Sequence, residues 1–155
     1  MKRAFYILLT VTILFSFSAC QTSRTPITVS EFTAKAEAAG YTVYSINEQY
    51  PDEDLIDYIL ARKGEDEVQH QIEFIVFKTA EEAINLYGQN KAAFESEITG
   101  VSSYASVTLG NYAYYVLTNN GRYRVISRID NTYIYIDAEE QYKTEISDFL
   151  KTIGY

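Results

Sequence analysis

The sequence predicts an α+β domain: an antiparallel sheet of six or seven strands with about three helices on one face, in the order α-βββ-α-βββ(β)-α. Three observations carry this. Two Thr-x-x-Glu capping patterns open amphipathic stretches, at Thr28–Glu31 and Thr79–Glu82. Between the helical stretches the apolar period drops from about four to two. Asn-Gly and Asp-Asn pairs then punctuate the second half at hairpin spacing.

The elements follow in order. Thr28-Val29-Ser30-Glu31 caps a helix over 29–39, rich in Ala, Glu and Lys, and Gly40 stops it. Strands follow at 41–46, 55–62 and 68–77. Thr79 caps the second helix, whose stripe of Ala80, Ala83, Ile84, Tyr87 and Phe94 runs to about residue 97, with Gly88 weakening its middle. Four strands come next, at 104–109, 112–118, 122–129 and 132–136. The third helix is expected from Asp137, with Tyr142, Ile146, Phe149, Leu150 and Ile153 on one side and Gly154 closing it. Each strand group ends in a hairpin followed by a helix, so a pseudo-repeat of YILAR…VQHQIEFIVFKTAEE against YRVISRIDNTYIYIDAEE is one reading.

Two-residue loops at Asn120-Gly121 and Asp130-Asn131 fix a register. Val116 then faces Val125, Tyr115 faces Ile126 and Leu117 faces Arg124; across the next turn Val125 faces Ile136, Ile126 faces Tyr135, Arg128 faces Tyr133 and Arg124 faces Asp137. One face gathers Tyr112, Tyr114, Val116, Tyr123, Val125, Ile129, Ile134 and Ile136 as the core side beneath the helices. The other gathers Tyr115, Leu117, Arg124, Ile126, Arg128, Tyr133 and Tyr135. Tyrosines interleaved with arginines can stack and hydrogen-bond, so Tyr115, Arg124, Arg128, Tyr133 and Tyr135 form the candidate ligand-binding set. The competing reading makes the same residues ordinary sheet neighbours: an Arg124–Asp137 ion pair and an Arg128–Tyr133 cation–π contact.

The N-terminus has a different character. Lys2 and Arg3 precede an uncharged run from Ala4 to Ala19, shorter than the ~20 residues a spanning helix needs, so it reads as a secretory leader. Its end, Phe17-Ser18-Ala19-Cys20, resembles the bacterial lipobox, with Phe17 where that motif usually carries Leu. The resemblance implies diacylglyceryl transfer to the Cys20 thiol and cleavage before it; an ordinary cut after Ser18 and a retained, uncleaved anchor are the alternatives. On this reading residues 1–19 are the signal, 20–28 a lipidated cysteine with a short polar tether, and 29–155 one domain. A tether of eight extended residues reaches ~25–30 Å. The chain as a whole is similar to small bacterial lipoproteins, which implies attachment to the outer face of the cell membrane.

Composition closes several routes. The 155 residues hold 13 basic and 21 acidic side chains, net −8, too few cations to neutralise a nucleic-acid backbone. One cysteine and one histidine exclude an internal disulfide framework and a Cys/His zinc cluster. No cofactor is read from the sequence: it has no phosphate-cradling glycine loop and no Gly-x-Ser-x-Gly elbow. His70 sits on the apolar alternation of Val68, Ile72, Phe74 and Val76, which makes it a packed side chain before a catalyst. Glu48, Asp52, Glu53, Asp54 and Asp57 lack the glycine and final glutamate of a calcium loop and read as a solvated connection. The expected function is a lipid-anchored extracytoplasmic binding domain for a protein, peptide or cell-wall glycan. A carboxylate-dependent wall hydrolase and an accessory subunit of an envelope complex are the alternatives.

Overall fold

The computed structural model describes residues 23–50, 53–64 and 69–155. Helix α1 (Val29–Ala38) precedes β1 (Thr42–Ser45), a 3₁₀ turn (Asn47–Gln49), β2 (Leu55–Lys63) and β3 (His70–Phe77). Helix α2 (Ala80–Ser96) leads to β4 (Ser102–Leu109), β5 (Tyr112–Asn119), β6 (Arg122–Ile129) and β7 (Thr132–Glu139), then a 3₁₀ turn (Glu140–Tyr142) and α3 (Lys143–Ile153). The strands form one seven-stranded sheet in the order β1-β2-β3-β7-β6-β5-β4, every neighbouring pair antiparallel. The class is the α+β one expected.

Local chemistry sets the helix starts. Thr28 and Thr79 both close full capping boxes, with Glu31 and Glu82 reaching back to the cap amides at 3.0 and 2.8 Å. Two orphan amides are satisfied at each start. At Glu31 the same contacts with Thr28, its backbone amide first, hold the carboxyl below the ordinary carboxylate range. The third helix departs from expectation. Asp137 stays in β7, where it receives Arg122 at 2.7 Å and Arg124 at 3.3 Å, and α3 begins only at Lys143. Cross-strand ion pairing outcompetes the capping role here. Gly154, at φ +88°, ends α3 in the left-handed conformation that a side chain would strain.

Strands β4 to β7 form a meander of eight-residue strands joined by two-residue turns. Asn120 and Gly121 both have positive φ (51° and 73°), as a type I′ turn requires. The register is the expected one: Val116↔Val125, Tyr115↔Ile126, Leu117↔Arg124, Val125↔Ile136, Ile126↔Tyr135, Arg128↔Tyr133 and Arg124↔Asp137.

The helices divide between the faces. The face carrying Tyr112, Tyr123, Val125, Ile129, Ile134 and Ile136 packs against Phe32 and Ala36 of α1 and Ile146, Phe149, Leu150 and Ile153 of α3. At its centre Phe32 stacks on Phe74, ring centroids 4.5 Å apart. The opposite face carries Ala113, Tyr115, Leu117, Ile126 and Tyr133, and α2 lies across it with Ala83, Tyr87 and Phe94 inward. Strands β5 to β7 are apolar on both faces, so a cover on one side alone would leave Tyr115, Leu117, Ile126 and Tyr133 in water; α2 supplies the second layer. The two hairpin–helix units meet where β3 pairs with β7, yet their helices leave on opposite faces. No single rotation about the sheet normal superposes them.

Candidate functional site

The five side chains singled out from the sequence do share one face, and α2 lies over it. Tyr115 is 1% exposed and Tyr133 0%. The Tyr133 hydroxyl accepts a hydrogen bond from Asn90 Nδ2 of α2 at 2.8 Å. Burial pushes the Tyr133 phenol far above its usual range, so it stays neutral at every physiological pH. Tyr115 stacks on Tyr104 of β4, with the Lys91 ammonium 5.4 Å from its ring centroid. Arg124 is held between Glu97 at 2.8 Å and Asp137 at 3.3 Å, its guanidinium 5.4 Å from the Phe94 ring centroid. Arg128 is buried and donates to the Asn111 carbonyl at 3.2 Å. Tyr135 packs half-buried beside Phe94. The contacts of Tyr115, Arg124, Tyr133 and Tyr135 therefore dock α2 on the sheet, while Arg128 ties β6 to the turn at Asn111.

The concavity on this face lies beside α2, where the helix leaves β2 and β3 uncovered. Three adjoining hollows share one side chain, Tyr58 of β2. The largest, about 520 Å³, has Leu55, Tyr58, Ile75 and Phe77 on the sheet side, Asn85, Leu86 and Gln89 of α2 opposite, and Gln49 and Tyr50 beyond. A second, about 300 Å³, continues inward to Glu73, Asn90, Tyr133 and Tyr135. A third, about 250 Å³, runs outward along β1 to Tyr44, Arg62 and Gln71. Together they make a groove with an aromatic floor and a wall of carboxamides. Of the five expected residues, Tyr133 and Tyr135 line it; Tyr115, Arg124 and Arg128 do not.

Strand geometry builds its centre. Tyr58 pairs with Ile75 and Leu60 with Glu73, so Tyr58 and Glu73 are diagonal neighbours on one face. The Tyr58 hydroxyl donates to Glu73 Oε2, and Gln71 donates to Oε1 at 3.3 Å. Burial, and then the Glu73 carboxylate that accepts its proton, raises the Tyr58 phenol well above its usual range. Tyr50 leans on Tyr58 with centroids 5.0 Å apart and is 52% exposed, an aromatic face open to solvent. Asn47 fixes the connection from inside, its carbonyl oxygen accepting from the Tyr58 amide and its Nδ2 reaching the Ile56 carbonyl at 3.3 Å.

His70, the single imidazole, is 3% exposed on the α1/α3 face. Its Nε2 lies 2.9 Å from the Tyr41 hydroxyl, and its ring packs against Tyr142 at 4.9 Å. Burial lowers its pKa, opposed by nearby Glu145 and assisted by Lys63, which pair with each other at 2.9 Å. It is a packed side chain remote from the groove, as the alternation implied. Among the described residues no cluster of three metal-ligating side chains occurs. Of the acidic connection, Asp57 is held by Asn47 at 3.4 Å, and Asp52 lies outside the described residues. Cys20 lies outside them too, and no described helix is long and apolar enough to cross a membrane.

Sequence reasoning missed Tyr50, Tyr58, Glu73 and the carboxamides Asn85, Gln89 and Asn90. The last three carried a signal: three amide side chains on one flank of an otherwise Ala/Glu-rich helix, next to its apolar stripe. Tyr58 and Glu73 carried none, because their pairing depends on the register of a hairpin with a bulge near Leu55.

No family model matches the chain, and no curated protein matches it. Among solved structures it is similar to the extracellular domain of PknH from Mycobacterium tuberculosis, at 12% identity, over 83% of this chain and 92% of that one, with a TM-score of 0.39.

Proposed function

We propose that this chain is a lipid-anchored extracytoplasmic binding domain whose ligand lies in the groove centred on Tyr58. One observation carries the reading: three hollows converge on a single tyrosine, with a half-exposed aromatic face at Tyr50 and a carboxamide wall along α2. Aromatic faces stack on the apolar side of a sugar ring, while carboxamides both donate to and accept from hydroxyl and acetamido groups. Asp54, Glu73 and Glu82 at the groove disfavour an anionic ligand, with Arg62 the cation at the outer end. A neutral, N-acetylated wall glycan fits this chemistry. The lipobox supports the address: Cys20 carries the lipid, and two acyl chains give stable attachment where one does not.

A hydrolase working through two carboxylates finds less support. Glu73 gives its two oxygens to Tyr58 and Gln71, and Glu82 caps α2. Titration of the full chain with soluble N-acetylglucosamine-containing wall oligosaccharides, followed by NMR, tests the reading. Shifts should centre on Tyr58, Ile75 and Asn85, and Tyr50→Ala should weaken binding roughly two- to tenfold, the worth of one aromatic contact. Saturating oligosaccharide with no shift at these positions sinks the glycan assignment. Mass spectrometry of the processed chain checks the anchor.

A further inference from the structure

The tether expected between Cys20 and the domain is pinned before it reaches the domain. The Arg24 amide donates to Asn111 Oδ1 at 2.9 Å, and Asn111 Nδ2 donates back to the Arg24 carbonyl at 2.8 Å, so one side chain holds the backbone of Arg24 from both sides. The Arg24 guanidinium donates to the Gly154 carbonyl at 3.1 Å and lies 3.6 Å from the Tyr112 ring centroid. Three residues on, Ile27 is buried in the core. Asn111 is itself anchored, its carbonyl accepting from the Asp130 amide at 2.8 Å and from Arg128.

The lengths decide what this does. Four residue steps from Cys20 to Arg24 span at most ~14 Å, against ~28 Å for the eight steps to Thr28. An eight-residue strand is ~26 Å long. A tether starting at Thr28 would let either end of the sheet approach the lipid; one starting at Arg24 does not. Arg24 sits at one end of the strands, since Tyr112 pairs with Leu109 and Ile129, Ile129 with Thr132, Thr132 with Val76, and Phe77 with Leu55. The turns at Gly110-Asn111 and Asp130-Asn131 cap that end. The largest hollow of the groove, with Leu55 and Phe77, opens at it as well, four strand spacings or ~19 Å from β5.

We infer that Arg24 and Asn111 form a clamp that makes this strand end the membrane-facing surface, with the turns at Asn111 and Asn131 nearest the headgroups and the groove opening toward the bilayer. This rests on lipidation of Cys20. Without the leader's two cations the chain has 11 basic and 21 acidic side chains, so an anionic bilayer repels the body and holds it on its short lead instead of letting it lie flat. A ligand in the groove is then taken from the layer next to the membrane.

The experiment uses the full processed chain in phosphatidylcholine nanodiscs doped with a gadolinium-chelating lipid. Amide signals of Gly110, Asn111, Asp130, Asn131 and Gly154 should broaden most, and those of Asn120, Gly121 and Gly100 at the far end least. Arg24→Ala with Asn111→Ala should even out the two ends while the far-ultraviolet spectrum stays native; Arg24→Ala alone, which removes the guanidinium contacts to Gly154 and the Tyr112 ring but keeps the backbone bonds to Asn111, should move part of the way. Equal broadening at both ends of the unmutated chain, with mass spectrometry showing the diacylglyceryl thioether, overturns the clamp and leaves the anchor standing. An unmodified sulfur overturns both.

Discussion

Phe94 near the C-terminus of α2 tests whether that helix is part of the structural core or a loosely docked cover. Its ring is buried, lies 5.6 Å from Tyr135 and faces the Arg124 guanidinium at 5.4 Å. Removing a buried phenylalanine to alanine costs about 3–5 kcal/mol through lost transfer energy and the cavity left behind. The cation–π contact contributes about 0.5–1 kcal/mol within that total. For a domain of about 130 residues the unfolding entropy at the midpoint is roughly 0.27 kcal/mol/K, so a loss of about 4 kcal/mol lowers Tm by about 15 °C. Phe94→Leu keeps most of the volume and should cost less than about 1.5 kcal/mol. Urea unfolding followed by far-ultraviolet circular dichroism measures both, with an unchanged m-value confirming that the folded and unfolded states keep their surface areas. A Phe94→Ala loss below about 0.5 kcal/mol, the range of surface substitutions, would refute the packing of α2 on Tyr133 and Tyr135.

Two further outcomes are expected. Gly88 lies mid-helix with nothing within 4 Å of where an alanine Cβ would sit, so Gly88→Ala should raise stability by about 0.5–1 kcal/mol, and a destabilised variant would show a close neighbour there after all. His70 concerns pH: its folded pKa lies below the unfolded value of ~6.5, so the unfolded chain binds the extra proton between the two, and stability falls as pH drops below ~6.5. The facing groups are the Tyr41 hydroxyl, Tyr142, Lys63 and Glu145. Relative to His70→Gln, the unmutated chain should lose at most ~1.4 kcal/mol per pH unit in that window; parallel curves for the two would count against it.

Much of the fold was legible in the residues because the signals were local. Thr28 with Glu31 and Thr79 with Glu82 satisfy amides three residues away, and Asn120-Gly121 makes its turn with its own backbone. Two-residue loops then dictate register, which is why the pairs from Val116–Val125 to Arg124–Asp137 follow from residue order alone. Asp137 shows the limit. As a helix cap and as a cross-strand partner it reads identically in sequence, and two arginines on the neighbouring strand decide between the roles. The Tyr/Arg face was likewise assembled correctly from alternation, but periodicity cannot say whether a face meets water or a helix.

By itself the sequence determined the class, the strand order within each hairpin and the partition of side chains between the two faces. Each depends on neighbours within a few residues or across one tight turn. The tertiary structure decided which helix covers which face, that β3 joins β7 at the sheet's centre, and that Tyr58, Glu73 and the amides of α2 share a groove. It also brought Arg24 to Asn111, 87 residues away. These rest on packing between segments far apart in the chain, where burial of area has no direction and many partners would serve equally until the whole fold closes.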